Sequence, residues 1–398
     1  MPRNASLIGL TLAAVMLLGF VGGFAQEAAP IRIMALTSLS GPFAPWGINV
    51  RDGMQLAAEE VNAAGGVLGR KVAIVERDTR NSPDEAMTHL RAGVEREGIV
   101  AAGGIISSGV GLAASRVAEE LNVPLFLTMS GSHKILRKDS RYTFRTCLVA
   151  ATMTTGPFAA FIQEKGISRA GAIVADYAWG HAVQEAIERH IASLPGVEVR
   201  IEVAPVPEKN FTTYLRRLQR LDPELLILLG HPPGAPAAAK QALELGIGQF
   251  ISGAIYPTEV WVERGGRPIF GRVVEYSCAD YEDAAYQQLA AKFHAKVGRF
   301  FDFNAFSGYA IVKLMADAVQ RTGTTDPKAL AAAVRTGRFV QPGYAFPLSY
   351  TEWGELKEAT PILYTFEAGD PGAINPGADW RPRVLFRSPP LAPYVPEE

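Results

Sequence analysis

The sequence predicts an α/β protein with two Rossmann-like lobes and a ligand cleft between them. Short apolar runs alternate with helical stretches from residue 31 onward, which is typical of βαβ units and parallel sheets. The same alternation restarts after Gly156, and 398 residues are enough for two or three domains. Because parallel sheets of this kind bind ligands beyond the carboxyl ends of their strands, we expect the site in the loops that follow the strands.

Residues 1–25 are predicted to be a signal peptide. Arg3 gives the positive start, residues 7–20 form an apolar stretch too short for a comfortable membrane span, and small residues precede the cleavage position. No cysteine lies near that position, which excludes a lipid anchor on a mature N-terminal cysteine. We therefore expect a soluble protein exported to the periplasm.

The charge balance argues against a nucleic-acid partner. Lys and Arg total 39 against 40 Asp and Glu, so the formal net charge is −1. Without an excess of basic residues, the chain has no bulk field to hold a polyanion. We expect no nucleic acid among its partners.

The first unit has clear helix signals between its predicted strands. A helix over 50–64 ends at the Gly65-Gly66 pair. Ser82 followed by Glu85, with Pro83 at the first helical position, predicts the start of the next helix. Predicted strands cover 31–36, 71–76, 99–104 and 124–127, a third helix lies near 110–121, and 37–47 is predicted as a loop.

The second unit is predicted to begin with a helix over 159–165. Asn210 is the candidate cap of a helix over 212–221, and the apolar run 225–229 predicts a fully buried strand. The residues after 367 are predicted to be extended. Other predicted helices cover 182–192, 236–245, 284–297, 307–321 and 327–335, and other predicted strands cover 170–174, 197–203, 250–253, 273–277, 345–350 and 362–367.

Motifs of the common enzyme classes are absent from the sequence. The run 103–109 follows a strand but lacks the G-x-G-x-x-G spacing, and no Gly-Lys-Ser/Thr or G-x-S-x-G occurs. The histidines form no H-E-x-x-H and the cysteines no C-x-x-C, so nothing indicates a zinc site. We expect a protein that is not an enzyme and that has no cofactor and no metal.

Small hydroxyl residues and aromatics follow several predicted strands. Hydroxyls and backbone N–H groups near a helix N-terminus can hold a carboxylate, and aromatic walls are usual in small-molecule pockets. Each residue also has a structural interpretation: the serines can cap helices or satisfy their own loops, the tryptophans can be core residues, and the histidine can be a solvated loop residue. The candidate ligand-binding residues are Trp46, Ser107, Ser108, Ser130, Gly131, Ser132, Tyr177, Trp179, His231 and Tyr256.

A set of motifs spread along the mature chain carries a family resemblance. The motifs are Ser40-Gly41-Pro42, Trp46-Gly47, the runs 53–57 and 60–67, Gly69-Arg70, and the run 176–180. With them the chain resembles the periplasmic substrate-binding proteins of branched-chain amino-acid ABC transporters, the leucine/isoleucine/valine-binding type. The resemblance implies a type 1 periplasmic-binding fold, whose two lobes are joined by three crossover segments and close on the ligand. It implies lobes of 31–146 plus 279–344 and of 147–278 plus 345–398.

The resemblance also implies roles for particular residues and partners. It places the ligand carboxylate on Ser107, Ser108 and the turn 130–132, and it maps an aromatic wall onto Trp179. It implies ABC permease membrane subunits as partners of a monomeric binding protein. The two cysteines, Cys147 and Cys278, fall on the first and second implied crossovers, where they are candidates for a disulfide; the alternative, two small buried thiols, stays open.

One departure from the family pattern bears on the ligand. Amino-acid binders of this family place an acid after the strand equivalent to 250–253, whereas here no acid occurs before Glu259. A buried ammonium without a carboxylate costs several kcal/mol. The sequence therefore favours a small carboxylate-bearing solute, either an aromatic or aliphatic organic acid or a branched-chain or related amino acid. The alternatives are a ligand-binding component of a sensor or receptor system, or a binder of an amide or urea-like solute.

Overall fold

The computed structural model describes residue 1, residues 28–253 and residues 255–397. The predicted signal peptide, residues 1–25, lies outside this part of the chain apart from Met1. In the part described, no helix has the length and apolar character needed to cross a bilayer. The same residues contain no group of three or more His, Cys, Asp or Glu side chains placed to hold a metal ion.

A five-stranded parallel sheet forms the first unit, which we call lobe 1. Its strand order is β2-β1-β3-β4-β5, and every neighbouring pair is parallel. The strands are β1 (Ile31–Thr37), β2 (Val72–Asp78), β3 (Ile99–Ile105), β4 (Leu125–Leu127) and β5 (Thr143–Arg145). The helices of this unit are α1 (Ala44–Ala63), α2 (Pro83–Ala92), α3 (Ser108–Leu121), α9 (Ala284–Val297), α10 (Phe303–Thr322) and α11 (Pro327–Thr336).

A seven-stranded sheet forms the second unit, lobe 2. Its order is β14-β13-β10-β9-β8-β6-β7, parallel from β10 to β7 and antiparallel at β13 and β14. The strands are β6 (Arg169–Ala175), β7 (Glu198–Ala204), β8 (Leu225–Ile227), β9 (Phe250–Ser252), β10 (Val273–Ser277), β13 (Ile362–Ala368) and β14 (Trp380–Arg387), and a separate ribbon pairs β11 (Arg338–Phe339) with β12 (Leu348–Ser349). The helices of lobe 2 are α4 (Ala151–Lys165), α5 (Ala178–His190), α6 (Thr212–Gln219), α7 (Ala235–Glu244) and α8 (Thr258–Gly265). The predicted α/β class with two parallel-stranded sheets is confirmed.

Two helices begin earlier than the sequence predicts, and both changes affect the site. Helix α1 begins at Ala44 rather than at residue 50, because a proline in the first turn removes only an N–H that has no helical partner. Trp46 therefore lies on a helix and not in a loop. Helix α4 begins at Ala151 rather than at 159 and contains Pro157, which is buried between other buried side chains of the same helix. Tertiary packing outweighs the loss of one helical hydrogen bond there.

The C-terminal part of the chain contains elements that the sequence analysis missed. Strand β14 was predicted only as extended chain, yet it forms the outer edge of the second sheet, where Pro382 is tolerated. The short helix α8, which follows Pro257, was not predicted. The predicted strand 345–350 is reduced to the two residues of β12.

Three chain segments pass between the lobes side by side. The segment after β5 meets the segment after β10, where the Tyr276 hydroxyl donates to Cys147 O at 2.8 Å. The third segment joins them, because Tyr344 OH donates to Thr146 O at 2.9 Å and Ala345 N donates to Cys278 O at 2.8 Å. These bonds hold the three crossovers together.

A disulfide links two of these crossovers. Cys147 and Cys278 are bonded to each other, with their Cα atoms 5.4 Å apart, and both residues are fully buried. They lie 131 positions apart in the sequence. The bond therefore closes a long loop and fixes the spacing of the first and second crossovers.

We expect no titratable thiol in protein that has been unfolded without reductant, and two after reduction. Replacing both residues, Cys147→Ser with Cys278→Ser, is expected to lower the unfolding free energy by roughly 2–5 kcal/mol, because a closed loop restricts the unfolded chain. Thiol titration and denaturant unfolding measure the two effects. Two reactive thiols before reduction would show that the cysteines are not paired.

Candidate ligand-binding site

The carboxyl ends of the parallel strands of both sheets face one small cavity between the lobes. Its volume is about 10 Å³, so it has room for about one water molecule. The lobes are therefore closed on each other. Burial raises the pKa of the Tyr177 hydroxyl, and the walls include no acidic or basic side chain. The lining residues are Phe43, Trp46, Ile106, Ser108, Met129, Tyr177, Trp179, Pro232 and Ile255.

Two tryptophans form much of the apolar wall, one from each lobe. Trp46 lies on α1 and donates its indole N–H across the cleft to Ile255 O at 2.8 Å. Trp179, on α5, donates its indole N–H to Leu229 O at 2.8 Å within lobe 2. Since both N–H groups already have partners, the rings offer a ligand only their apolar surfaces.

Charged side chains close the rim of the cleft. Glu185 on α5 accepts from Lys134 Nζ at 2.8 Å and lies 3.1 Å from His133 Nε2, both from lobe 1. Glu259 on α8 accepts from Phe300 N at 3.3 Å in the opposite lobe, and burial raises the pKa of this carboxyl. These contacts hold the closed form from outside the cavity.

The predicted serines gather at one end of the cavity. We call Ser107, Ser108 and the turn Ser130–Gly131–Ser132 the polar end. Ser130 is fully buried and donates to Ser107 O at 2.9 Å, so its hydroxyl ties the turn to the end of β3. The Ser108 hydroxyl accepts from Ser132 N at 3.1 Å and keeps its own proton free to donate.

Several donors of the polar end have no acceptor. Ser107 is the N-cap residue of α3, yet its hydroxyl makes no capping bond. Within the described chain, no group accepts from the N–H of Gly131, which is buried. The first turn of α3 points its own N–H groups toward the same end, where a helix favours negative charge. The polar end is therefore rich in donors, and it borders an otherwise apolar cavity through Ser108.

Six predicted site residues do not line the cavity: four belong to the polar end, and the other two are His231 and Tyr256. The four are Ser107, Ser130, Gly131 and Ser132. His231 is fully buried: its Nδ1 accepts from Gly234 N at 3.2 Å and its Nε2 donates to Pro205 O at 3.0 Å. Burial lowers the pKa of this histidine, which favours the neutral ring. The ring joins two stretches of backbone by its hydrogen bonds. The solvated-loop interpretation is thus wrong. Tyr256 packs edge-on against Trp46, with ring centroids 4.5 Å apart, and its hydroxyl accepts from Arg264 at 2.8 Å.

Glu275 is a buried acid that the sequence analysis missed. It lies in β10, is fully buried, and accepts from Ile255 N at 2.9 Å through Oε2. Its carboxyl fills the space beside Gly253, where a side chain at that glycine would collide with it. Glu275 does not line the cavity, and only the pairing of β9 with β10 brings it under the loop that does. By contrast, Asp176 is exposed and pairs with His181 at 2.9 Å.

The fold and the site define a two-lobed binding protein of the periplasmic type. The family model described as periplasmic binding protein matches residues 30–361. The chain belongs to this family, whose members are binding proteins of transporters, and this confirms the prediction that it is not an enzyme.

Individual relatives point to the same type. The Leu/Ile/Val-binding protein BraC3 of Rhizobium johnstonii is 26% identical over 358 residues, which cover 86% of this chain and 93% of that protein. The solved leucine-binding protein of Thermotoga maritima superposes with a TM-score of 0.77 at 19% identity, covering 91% of this chain and 99% of that one. A solute-binding protein of R. palustris solved with benzoate superposes with a TM-score of 0.77 at 20% identity. The match covers 92% of this chain and 98% of that one. The predicted resemblance is confirmed.

Lobe closure leaves no room for a side chain at Gly131. A Cβ there would lie 2.7 Å from Cη2 of Trp179 and 2.8 Å from Cδ2 of Leu148. We expect Gly131→Ala to weaken binding of the preferred ligand by roughly 5- to 150-fold, because overpacking costs about 1–3 kcal/mol. Isothermal titration calorimetry measures the loss.

The matched control is Gly156→Ala, where the nearest atom to a new Cβ, Leu391 Cδ2, is 3.4 Å away. This variant is expected to bind like the parent protein. Equal binding by Gly131→Ala would show that the Gly131–Trp179 contact is not part of the ligand-bound form.

Proposed function

We propose that the protein is the extracytoplasmic solute-binding component of an ABC importer and that it binds a small carboxylate-bearing solute by lobe closure. In this proposal lobe 1 comprises 31–146 plus 279–344 and lobe 2 comprises 147–278 plus 345–398. One observation carries the proposal. Donors that have no acceptor lie at the polar end, beside a cavity whose walls hold no acidic or basic side chain.

The polar end suits a carboxylate for a physical reason. An anion there receives hydrogen bonds from Ser108 Oγ, from the Ser107 hydroxyl and from Gly131 N, none of which donates to another acceptor in the described chain. Hydrogen bonds to a charged group are about twice as strong as neutral ones. The low dielectric of a closed, apolar cavity strengthens them further.

The rest of the cavity favours a solute without an ammonium group. Its other walls are aromatic and aliphatic, so they stabilise a ring or an alkyl chain by burial. A protein of this fold has been solved with benzoate, which supports an aromatic acid as a ligand that the architecture can accommodate.

Glu275 supports a second candidate, a branched-chain or related amino acid. The Leu/Ile/Val-binding relatives carry amino-acid ligands in their names. If the loop that contains Ile255 shifts on binding, the Glu275 carboxylate, which lies beneath that loop, can receive an ammonium. This acid lies on a strand and not in the loop where the family pattern places one.

The compartment and partners follow from the proposed role. We place the mature protein in the periplasm after removal of residues 1–25, an oxidising compartment in which the Cys147–Cys278 disulfide persists. Its macromolecular partners are the membrane subunits of an ABC permease, and it works as a monomer without a nucleic acid.

Matched ligand pairs test the proposal. We expect 3-phenylpropanoate to bind at least about tenfold more tightly than phenylalanine, and 4-methylpentanoate more tightly than leucine, because an unpaired buried ammonium costs several kcal/mol. Calorimetry at neutral pH measures both pairs. Ser108→Ala is expected to weaken the binding of the acids by about 1.5–3 kcal/mol, which is the usual cost of losing a charge-assisted hydrogen bond.

The Glu275→Gln variant separates the two candidates. It is expected to leave the binding of the acids unchanged, since Gln keeps an oxygen to accept from Ile255 N. If the amino acids bind more tightly in both pairs and Glu275→Gln abolishes this preference, the ligand is an amino acid and not an organic acid. Failure of all four compounds to bind would remove the carboxylate proposal.

A further inference from the structure

A buried ion pair lies directly behind the polar end. Arg145, the last residue of β5, donates Nη2 to Ser132 O at 2.8 Å and Nη1 to Ser130 O. Its Nε donates to Glu355 Oε2 at 2.9 Å, and both side chains are fully buried. The guanidinium thus bonds two carbonyls of one turn and one carboxylate.

These bonds fix the direction of the peptides in the turn. In a trans peptide the C=O and N–H groups point to opposite sides. With the Ser130 and Ser132 carbonyls held by Arg145, the N–H groups of Gly131 and His133 point away from it. The peptide between them is held as well, because Gly131 O accepts from Ala151 N at 2.8 Å and Ser132 N donates to Ser108 Oγ.

Glu355 anchors the pair to the third crossover. Its backbone N–H donates to Thr351 Oγ1 at 3.0 Å, and its Oε1 accepts from Leu356 N at 3.1 Å. Arg145 N donates to Gly354 O at 3.1 Å, so the same segment holds the strand as well as the side chain. Burial raises the pKa of Glu355, and the charge of Arg145 opposes that rise.

We propose that Arg145 is a positioning residue that sets the specificity of the polar end for a carboxylate over an amide, and that Glu355 moderates this preference. The inference rests on the proposed function, because it concerns how the same site recognises its anion. Arg145 aims the Gly131 N–H at the ligand and adds a positive charge on the far side of the same peptides. Glu355 cancels part of that charge.

The two members of the pair therefore have opposite effects on selectivity. Removing the charge of Glu355 leaves the charge of Arg145 uncompensated, so the affinity for an anionic ligand rises. Removing both charges takes away the positive field of Arg145 and its hold on the turn, so the carboxylate no longer binds more tightly than the amide. A purely structural pair would lower stability in both variants without moving selectivity in opposite directions.

The experiment compares 3-phenylpropanoate with 3-phenylpropanamide by calorimetry on the full mature protein. Glu355→Gln is expected to raise the carboxylate-to-amide affinity ratio by about tenfold, and Arg145→Met with Glu355→Leu to lower it by about tenfold. The double variant replaces the pair with apolar side chains, which proteins often tolerate without loss of stability. Arg77→Met, which removes an ion pair with Glu97 at the other edge of the same sheet, is the control.

An unchanged ratio in both pair variants, or a change of equal sign in both, would overturn the role of Arg145. A shift of the same size in Arg77→Met would do so too, since the effect would then not be specific to the turn. If the parent protein binds neither compound, the proposed function itself fails and this inference with it.

Discussion

The site exists only when the two lobes meet, and the three adjacent crossovers control how they meet. The disulfide between Cys147 and Cys278 and the bond from Tyr276 to the first crossover keep these segments at fixed spacing. Trp46 on α1 and Trp179 on α5 both line the small cavity between the lobes. A hydrogen bond made in such a low-dielectric site is stronger than one made in water.

In the proposed function, such a cavity recognises its ligand by a few directed donors inside an apolar wall. A charged side chain in the wall would remain unpaired in the closed, empty form, and burying it would carry a large penalty. Backbone N–H groups and hydroxyls carry a smaller penalty, because they are neutral. The positive charge of Arg145 is instead kept behind the turn, paired with Glu355 and shielded from the cavity by the peptides that it orients.

Much of the fold could be predicted, because apolar periodicity and helix caps are local signals. The alternation of strands and helices gave both parallel sheets, and the Ser82 cap is present, with its hydroxyl accepting from Glu85 N at 3.3 Å. Two of the differences fall in elements that contain a proline. The predicted helix starts at residue 159, whereas α4 starts at Ala151 and includes Pro157, and the predicted extended tail contains the strand β14 with Pro382. In both cases the packing of distant segments outweighs the local preference.

The site was less predictable, because its chemistry depends on long-range neighbours. The serines after β3 and β4 do come together, since parallel strands end at one edge, but only bonding partners show that Ser130 is structural and that Ser108 faces the cavity. His231 could not be assigned from its loop position, because its second partner, Pro205 O, lies on a different segment of the chain. Glu275 carried no motif at all.

The most direct test is a crystal structure of the protein bound to the acid with the highest affinity. We predict carboxylate oxygens within about 2.7–3.2 Å of Ser108 Oγ and Gly131 N, with the apolar part of the ligand between Trp46 and Trp179. A carboxylate bound away from the turn 130–132, or a ligand ammonium held by Glu275, would contradict it.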